Sequence, residues 1–303
     1  MNNALLLTIS VAANVSNAIM KKFLTGRFEN NSIARRIYCT VTCAVSALAL
    51  FLMAENLQAS LFTVLLALLF GIITALQSIF NLQALAYGPL SYTTVIVSLS
   101  MLIPTLSGAI FWNETVVPIQ IVGVVLMVGC FILSVNTSGE QKKATFKWLV
   151  HCAITFVCTG AIGLMQKIHQ SSAHRDELDA FLIIAFVFSC IYAATGWALL
   201  SIKKKSEPAA ETVAATDRKP ILGLLPLGLM VISGVCIAIN NKLNLFLSGV
   251  MDSAIFFPVV NGVGLILTSL AAFLIFREKL TKRQWIGLAL GIVAVLCLCN
   301  PFG

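Results

Sequence analysis

Residues 18–24 read AIMKKFL, and residues 163–169 read GLMQKIH. The first stretch closes an apolar run that begins at Ala4, and the second closes another apolar run of similar length. An offset of 145 residues superposes the two stretches and places Lys22 on Lys167. A chain that repeats such a pattern is expected to contain two copies of one structural unit.

A second offset, of 164 residues, relates two later stretches of the chain. It places Glu114 on Glu278, Gln120 on Gln284 and Gly123 on Gly287, so both stretches contain an acid, a short turn and an apolar helix. The two offsets differ by 19 residues, and the polar segment 203–220 (KKKSEPAAETVAATDRKP) can absorb that difference as a flexible loop.

The composition indicates that the solvent around this chain is mostly lipid. Of 303 residues, 59% are hydrophobic and 11% are charged, and the mean hydropathy is +0.95, whereas soluble domains carry about 25% charged residues. The apolar runs reach roughly 20 residues without strict alternation, which is typical of membrane helices and not of barrel strands. The net charge of +8 therefore predicts basic loops beside anionic lipid, and no nucleic-acid binding.

The pattern predicts an all-α membrane protein with ten transmembrane helices arranged as two inverted five-helix repeats. The predicted helices are 3–24, 33–53, 58–86, 90–112, 117–136, 146–169, 179–202, 221–248, 252–276 and 281–299. The units are 1–138 and 139–303, and because five is odd they insert in opposite senses. Inverted repeats of this kind occur in secondary transporters, which bind substrate between the repeats near the membrane midplane.

The basic residues predict the orientation. Seventeen of the 20 Lys and Arg lie in or beside the connections that follow odd-numbered helices. The positive-inside rule places those connections in the cytoplasm and both termini outside. The expected location is the cell (inner) membrane, as a multi-pass protein.

Residues 87–129 (YGPLSYTTVIVSLSMLIPTLSGAIFWNETVVPIQIVGVVLMVG) resemble the drug/metabolite transporter (DMT) superfamily, in its EamA-type branch. The residue match extends over 87–135 and 252–299, and the helix-length pattern covers the chain. Asn113-Glu114 and Arg277-Glu278 depart from the usual Gly-Glu of that family. The resemblance implies a pocket lined by helices 1, 3, 4, 6, 8 and 9, with helices 5 and 10 peripheral. It also implies cytoplasmic termini, against the charge count.

Polar side chains inside the predicted spans are the candidate substrate-binding residues, because unpaired polar groups are costly at membrane depth. Lys21 and Lys22 either face a pocket or extend to the cytoplasmic surface. Lys167 falls on the charge-poor side, where topology does not explain it. The stripes on helices 3 and 8 either bind a ligand or hold helices together. The candidate set is Asn14, Asn17, Lys22, Gln77, Asn81, Tyr92, Ser98, Lys167, Asn240, Asn241, Asn244 and Asn261.

Several other groups are expected to be structural. Glu114 is read as a turn or capping residue, and His169 and His174 as solvated side chains of a loop. Gly287 and Gly291 favour close helix packing, either inside the chain or between two copies. The nine cysteines are expected to be buried apolar side chains, and the sequence predicts no catalytic residues, metal site or cofactor.

All twelve acids fall in predicted loops or at helix ends. Exporters of cationic drugs generally use an intramembrane carboxylate, whereas amides, hydroxyls and lysines suit an anion or a zwitterion. The sequence therefore predicts a secondary transporter for a small polar metabolite, with membrane lipid and a second copy of the chain as further partners. The alternatives are an exporter of amino acids or uncharged drugs, and a lipid-handling or scaffold protein without transport. An enzyme is not expected.

Overall fold

The structure is a computed structural model that describes residues 3–28, 31–87, 93, 96–133, 145–206, 223–277 and 281–299. These residues are mostly α-helical, and none of them forms a strand. The helices are α1 Asn3–Phe28, α2 Ser32–Leu52, α3 Leu61–Tyr87, α4 Leu102–Phe111, α5 Pro118–Leu133, α6 Phe146–Gln170, α7 Leu178–Ser206, α8 Leu224–Val250, α9 Ser253–Ile275 and α10 Lys282–Cys299.

Eight of these helices are long and apolar enough to cross a membrane, and α4 and α5 are shorter apolar helices. Large apolar side chains lie on the outer surface of the bundle. Leu61 is 74% exposed, Leu274 71% and Leu225 68%, which only a lipid environment would stabilise. The chain is therefore an all-α, multi-pass membrane protein.

Reciprocal hydrogen bonds start α10 as the sequence predicts. The Thr281 hydroxyl accepts from the backbone N–H of Gln284 at 3.3 Å, and the Gln284 side-chain oxygen accepts from the backbone N–H of Thr281 at 2.9 Å. This capping box is confirmed. At α5 the Gln120 side chain accepts from the Val117 N–H at 3.1 Å in the same manner. The two glutamines are related by the offset of 164 residues.

Some predicted boundaries were wrong by a few residues. The helix α3 begins at Leu61 instead of residue 58, because residues 55–60 form a connection whose backbone donates to acids after α6. The helix α7 continues to Ser206, four residues into the predicted flexible segment, because lysine is a good helix former. A 3-10 turn, Leu99–Met101, precedes α4.

Helices pack across the predicted halves more than within them. The most extensive pairs are α5 with α10, α2 with α7, α1 with α8 and α3 with α6, followed by α3 with α7, α2 with α8 and α4 with α9. Separate apolar clusters form the core. One is built around Phe131 and Phe256, and another around Phe70 and Phe181.

Among the described residues, two that are not glycine adopt the left-handed backbone region. They are Asn113, with φ 51°, and Arg277, with φ 53°, and they too are 164 residues apart. Each directly precedes a glutamate of the predicted repeat. Asn113 and Arg277 stand where the Gly-Glu pattern has glycine, and their backbone conformation is one that favours glycine.

The glycine pair of α10 packs inside the chain. A Cβ on Gly287 would lie 3.0 Å from the Leu133 Cβ, and one on Gly291 would lie 2.7 Å from the Cys130 sulfur. Both neighbours belong to α5. The close approach therefore joins α5 to α10, and this stripe is not a free surface for a second copy.

Candidate functional site

A cavity of about 340 Å³ lies between the two halves of the chain. The side chains that line it come from α1, α2 and α3 on one side and from α6, α7, α8 and α9 on the other. Most of these residues lie in the middle third of their helices. The described residues of α4 do not line the cavity, whereas α2 and α7 do, in contrast to the lining that the family resemblance implied.

The lining is rich in amides and hydroxyls. Its polar members are Asn14, Asn17, Lys21, Tyr38, Thr42, Thr74, Gln77, Ser78, Thr159, Gln166, Asn240, Asn241, Asn244 and Asn261. Seven of the twelve predicted residues are therefore brought together here: Asn14, Asn17, Gln77, Asn240, Asn241, Asn244 and Asn261.

Part of the amide lining holds helices together. The Asn240 side chain donates to the Ser10 carbonyl and hydroxyl, each at 3.0 Å. The Ser10 hydroxyl donates to Asn244 at 2.6 Å, and Asn244 donates back to Asn240 at 3.3 Å. For Asn240 and Asn244 of the polar stripe on α8, the interpretation that such residues hold helices together is therefore correct. Their hydrogen bonds with Ser10 join α8 to α1.

Other lining groups remain available to a ligand. The side chains of Asn14 and Gln166 make no hydrogen bond within the described part of the chain. The buried hydroxyl oxygen of Thr74 also lacks a protein partner there. Buried polar groups are nearly always satisfied by protein or water, so groups like these in a cavity wall indicate a wet site.

Besides Lys167, four predicted residues lie outside the lining or outside the described chain. Lys22 has its ammonium 4.7 Å from the centre of the Phe276 ring, in a cation–π contact. Asn81 accepts a hydrogen bond from Lys21 at 3.3 Å and so contacts a lining residue without lining the cavity itself. Ser98 is half-buried just before the 3-10 turn. Tyr92 lies outside the described residues.

Lys167 forms a buried ion pair instead of lining the cavity. Its ammonium lies 2.6 Å from a Glu114 carboxylate oxygen, and both side chains are less than 10% exposed. It also donates to the Met251 carbonyl at 3.4 Å. The other Glu114 oxygen accepts from the backbone N–H of Ser253 at 2.7 Å. Glu114 is thus a capping residue, as predicted, but the helix that it caps is α9.

Sequence reasoning missed several lining residues. Lys21 shares a helix face with Asn14 and Asn17, but a surface position explains a lysine at a helix end equally well. Gln166 is the repeat equivalent of Lys21, and the offset of 145 residues could have found it. Tyr38 and Thr42 were missed because the resemblance assigned no lining role to α2.

The prediction that His169 is solvated was wrong. Its side chain is fully buried, its ring centre lies 4.4 Å from that of Phe181, and its Nε2 is 3.4 Å from the Thr63 hydroxyl. The helix α6 continues to Gln170, one residue beyond the predicted end, and carries this ring into the core.

Comparisons with known proteins give the fold but no activity. No protein-family model matches the chain. An uncharacterized protein of Haemophilus influenzae is 22% identical over 207 residues, which is 66% of this chain. The chain spans 63% of the length of that relative. A crystal structure of another protein superposes with a TM-score of 0.69 at 15% identity and covers 97% of this chain and 98% of its own.

Proposed function

We propose that the chain is a secondary transporter that moves a small polar metabolite, anionic or zwitterionic, by alternating access. The observation that carries the proposal is the polar cavity between the two halves. Its volume of about 340 Å³ falls in the range of small-molecule sites, about 300–1,000 Å³. Asn14, Gln166 and Thr74, which have no hydrogen-bond partner in the described part of the chain, would supply the binding energy.

The packing supports ten spans in two inverted halves, 1–138 and 139–303. Each helix of the first half corresponds to the helix numbered five higher in the second half. Exchanging corresponding helices turns the pair α1–α8 into α6–α3, and it leaves the pairs α2–α7, α4–α9 and α5–α10 unchanged. The paired caps at Gln120 and Gln284 and the paired left-handed residues follow the same relation. With five alternating helices per unit, the second unit inserts upside down relative to the first. The resemblance to the EamA-type branch also supports ten helices in two halves.

One end of the bundle is held shut by contacts between the halves. We call it the acidic end; it carries the connections that follow α2, α4, α6 and α8. There Glu114 joins Lys167, the Glu55 N–H donates to Asp179 at 2.8 Å, and the Lys242 ammonium donates to the Met53 carbonyl at 2.6 Å. Alternating access would require these contacts to break when the acidic end opens.

The acidic end would face outward. The opposite end, which we call the basic end, carries the connections after odd-numbered helices, where most Lys and Arg lie. The positive-inside rule then assigns the basic end to the cytoplasm of the inner cell membrane.

The test is an efflux experiment that does not require the substrate to be known. The full chain is reconstituted in phosphatidylcholine vesicles filled with a deproteinised bacterial metabolite extract, and compounds released are identified by mass spectrometry. We expect release of a small set of compounds, compared with protein-free vesicles. Thr74→Phe should block it by filling the cavity, whereas Leu69→Phe, on the lipid-exposed face of the same helix, should not. Release that is equal with and without protein refutes the proposal.

The alternatives predict other results in the same experiment. An exporter of amino acids or uncharged drugs would release those compounds. A lipid-handling or scaffold protein would release nothing, and Thr74→Phe would stabilise it by filling an unused space.

A further inference from the structure

Charge is distributed unevenly along the axis of the cavity. Lys21 is the only charged side chain among the described residues that line it. Lys21 lies in the second half of α1, which runs antiparallel to α8: Ser10 contacts Asn244, and Asn17 contacts Ser233. Lys21 therefore lies toward the basic end of the cavity.

More positive charge lies beside Lys21. The Cys39 thiol lines the cavity, and Lys21, Arg35 and Arg36 all lie within electrostatic range of it. Arg35 precedes Cys39 by one helical turn and is 5% exposed. The Arg36 guanidinium lies 5.8 Å from the centre of the Tyr192 ring on α7, and neither arginine lines the cavity. The two arginines therefore add to the positive potential at this end of the cavity without contacting a ligand in it.

The acids that the structure describes all lie at the opposite end. They are Glu55, Glu114, Asp176, Glu177, Asp179 and Asp252, in the connections of the acidic end or in the first turn of α7. None of them lines the cavity. Over the whole sequence the basic end carries 17 Lys and Arg and six acids, whereas the acidic end carries three Lys and Arg and six acids. The net charges are therefore +11 and −3, so an anion in the cavity would be drawn toward Lys21.

The acid-facing pole of the cavity is neutral. Gln166 lines it, is 4% exposed and has no hydrogen-bond partner within the described chain. It is the repeat equivalent of Lys21, so the two poles carry an ammonium and an amide at corresponding positions. The amide can bind hydroxyl or amide groups of a ligand, but no carboxylate in the described lining could neutralise a ligand's ammonium group.

We propose that the substrate is a small organic monoanion that binds in one orientation. Its carboxylate, sulfonate or phosphodiester contacts Lys21, and its neutral hydrogen-bonding groups contact Gln166 and the Thr74 hydroxyl. This assignment rests on the proposed transport function and narrows its substrate class from anions and zwitterions to anions without an ammonium group.

The test is the vesicle efflux experiment with charge-changing variants. The released compounds are sorted by net charge, and phosphatidylcholine alone is used so that no anionic lipid competes for the site. We expect the wild-type protein to release organic anions. Lys21→Gln should slow their release at least about tenfold, since a charge-assisted hydrogen bond contributes about 1.5–3 kcal/mol. Lys22→Gln removes the same charge one residue away, outside the cavity, and should leave the rate unchanged.

Two further variants protect the test against a folding defect. Lys21→Arg keeps the charge and should retain anion release. Gln166→Lys places a second ammonium at the neutral pole and should shift release toward compounds with two negative charges. The same vesicles made with added phosphatidylglycerol test whether a lipid headgroup enters the site. Slower anion release would show that the headgroup competes with the soluble anion, and unchanged release would show that only soluble anions bind there.

The outcomes separate the two proposals. Release of only neutral, zwitterionic or cationic compounds, or equal anion release by Lys21→Gln and the wild type, refutes the anion site and leaves transport standing. Release of nothing by the wild type, relative to protein-free vesicles, refutes transport and the anion site with it.

Discussion

Replacing Glu114 by glutamine should destabilise the protein strongly although neither Glu114 nor its partner Lys167 lines the cavity. The side chains of Glu114 and Lys167 are 9% and 8% exposed, and their charged atoms are 2.6 Å apart. Removing one partner of a buried ion pair leaves an uncompensated charge and costs about 3–5 kcal/mol. Glutamine retains an oxygen for the Ser253 N–H, which Glu114 accepts at 2.7 Å. The change therefore isolates the loss of charge from the loss of the α9 cap.

The assay is thermal unfolding of the purified variants in one detergent. At about 2 °C per kcal/mol, the lower end of the range for chains of this size, Glu114→Gln should lower Tm by roughly 6–10 °C. Glu55→Gln makes the same chemical change at an exposed side chain of the acidic end and should change stability by less than about 0.5 kcal/mol.

A double variant completes the cycle. Lys167→Met combined with Glu114→Gln removes both charges and should recover most of the lost stability, because replacing a whole buried pair is often nearly neutral. An equal Tm for Glu114→Gln and Glu55→Gln would refute the view that this ion pair is buried and holds the acidic end together.

Two further predictions concern backbone geometry, and thermal unfolding measures both. Arg277→Gly should stabilise the protein by about 1 kcal/mol, because a left-handed backbone costs a non-glycine residue about 1–2 kcal/mol. Asn113→Gly should stabilise it less, since asparagine tolerates that region. Lower stability of both variants would contradict the φ values. Gly71→Ala should destabilise by about 1–3 kcal/mol, because its Cβ would lie 2.5 Å from the Ala185 carbonyl oxygen. Gly228→Ala is the matched control, because a Cβ there would meet no neighbouring atom, and it should raise the stability by up to about 1 kcal/mol. Equal changes in stability for the two variants would argue against close packing of α3 on α7.

Much of the candidate site was predictable from helical periodicity. Asn14 and Asn17 share one face of α1, and Asn240 and Asn244 share one face of α8, so their approach to a common cavity follows from helix geometry. Periodicity places Lys21 on the face of Asn14 and Asn17, but it could not decide whether Lys21 or Lys22 reaches the membrane surface, since both lie near the helix end. The structure separates them: Lys21 lines the cavity, and Lys22 lies over the Phe276 ring.

The sequence by itself determined the helical, membrane-embedded character of the chain, because the length and hydropathy of a segment decide whether its backbone can be satisfied in lipid. It also determined the starts of α5 and α10, since capping bonds join residues three apart. Only the tertiary structure decided which polar groups pair. The partners of Lys167 and Asn240 are 53 and 230 residues away along the chain, and the distance between such groups depends on how whole helices pack, which no local pattern records.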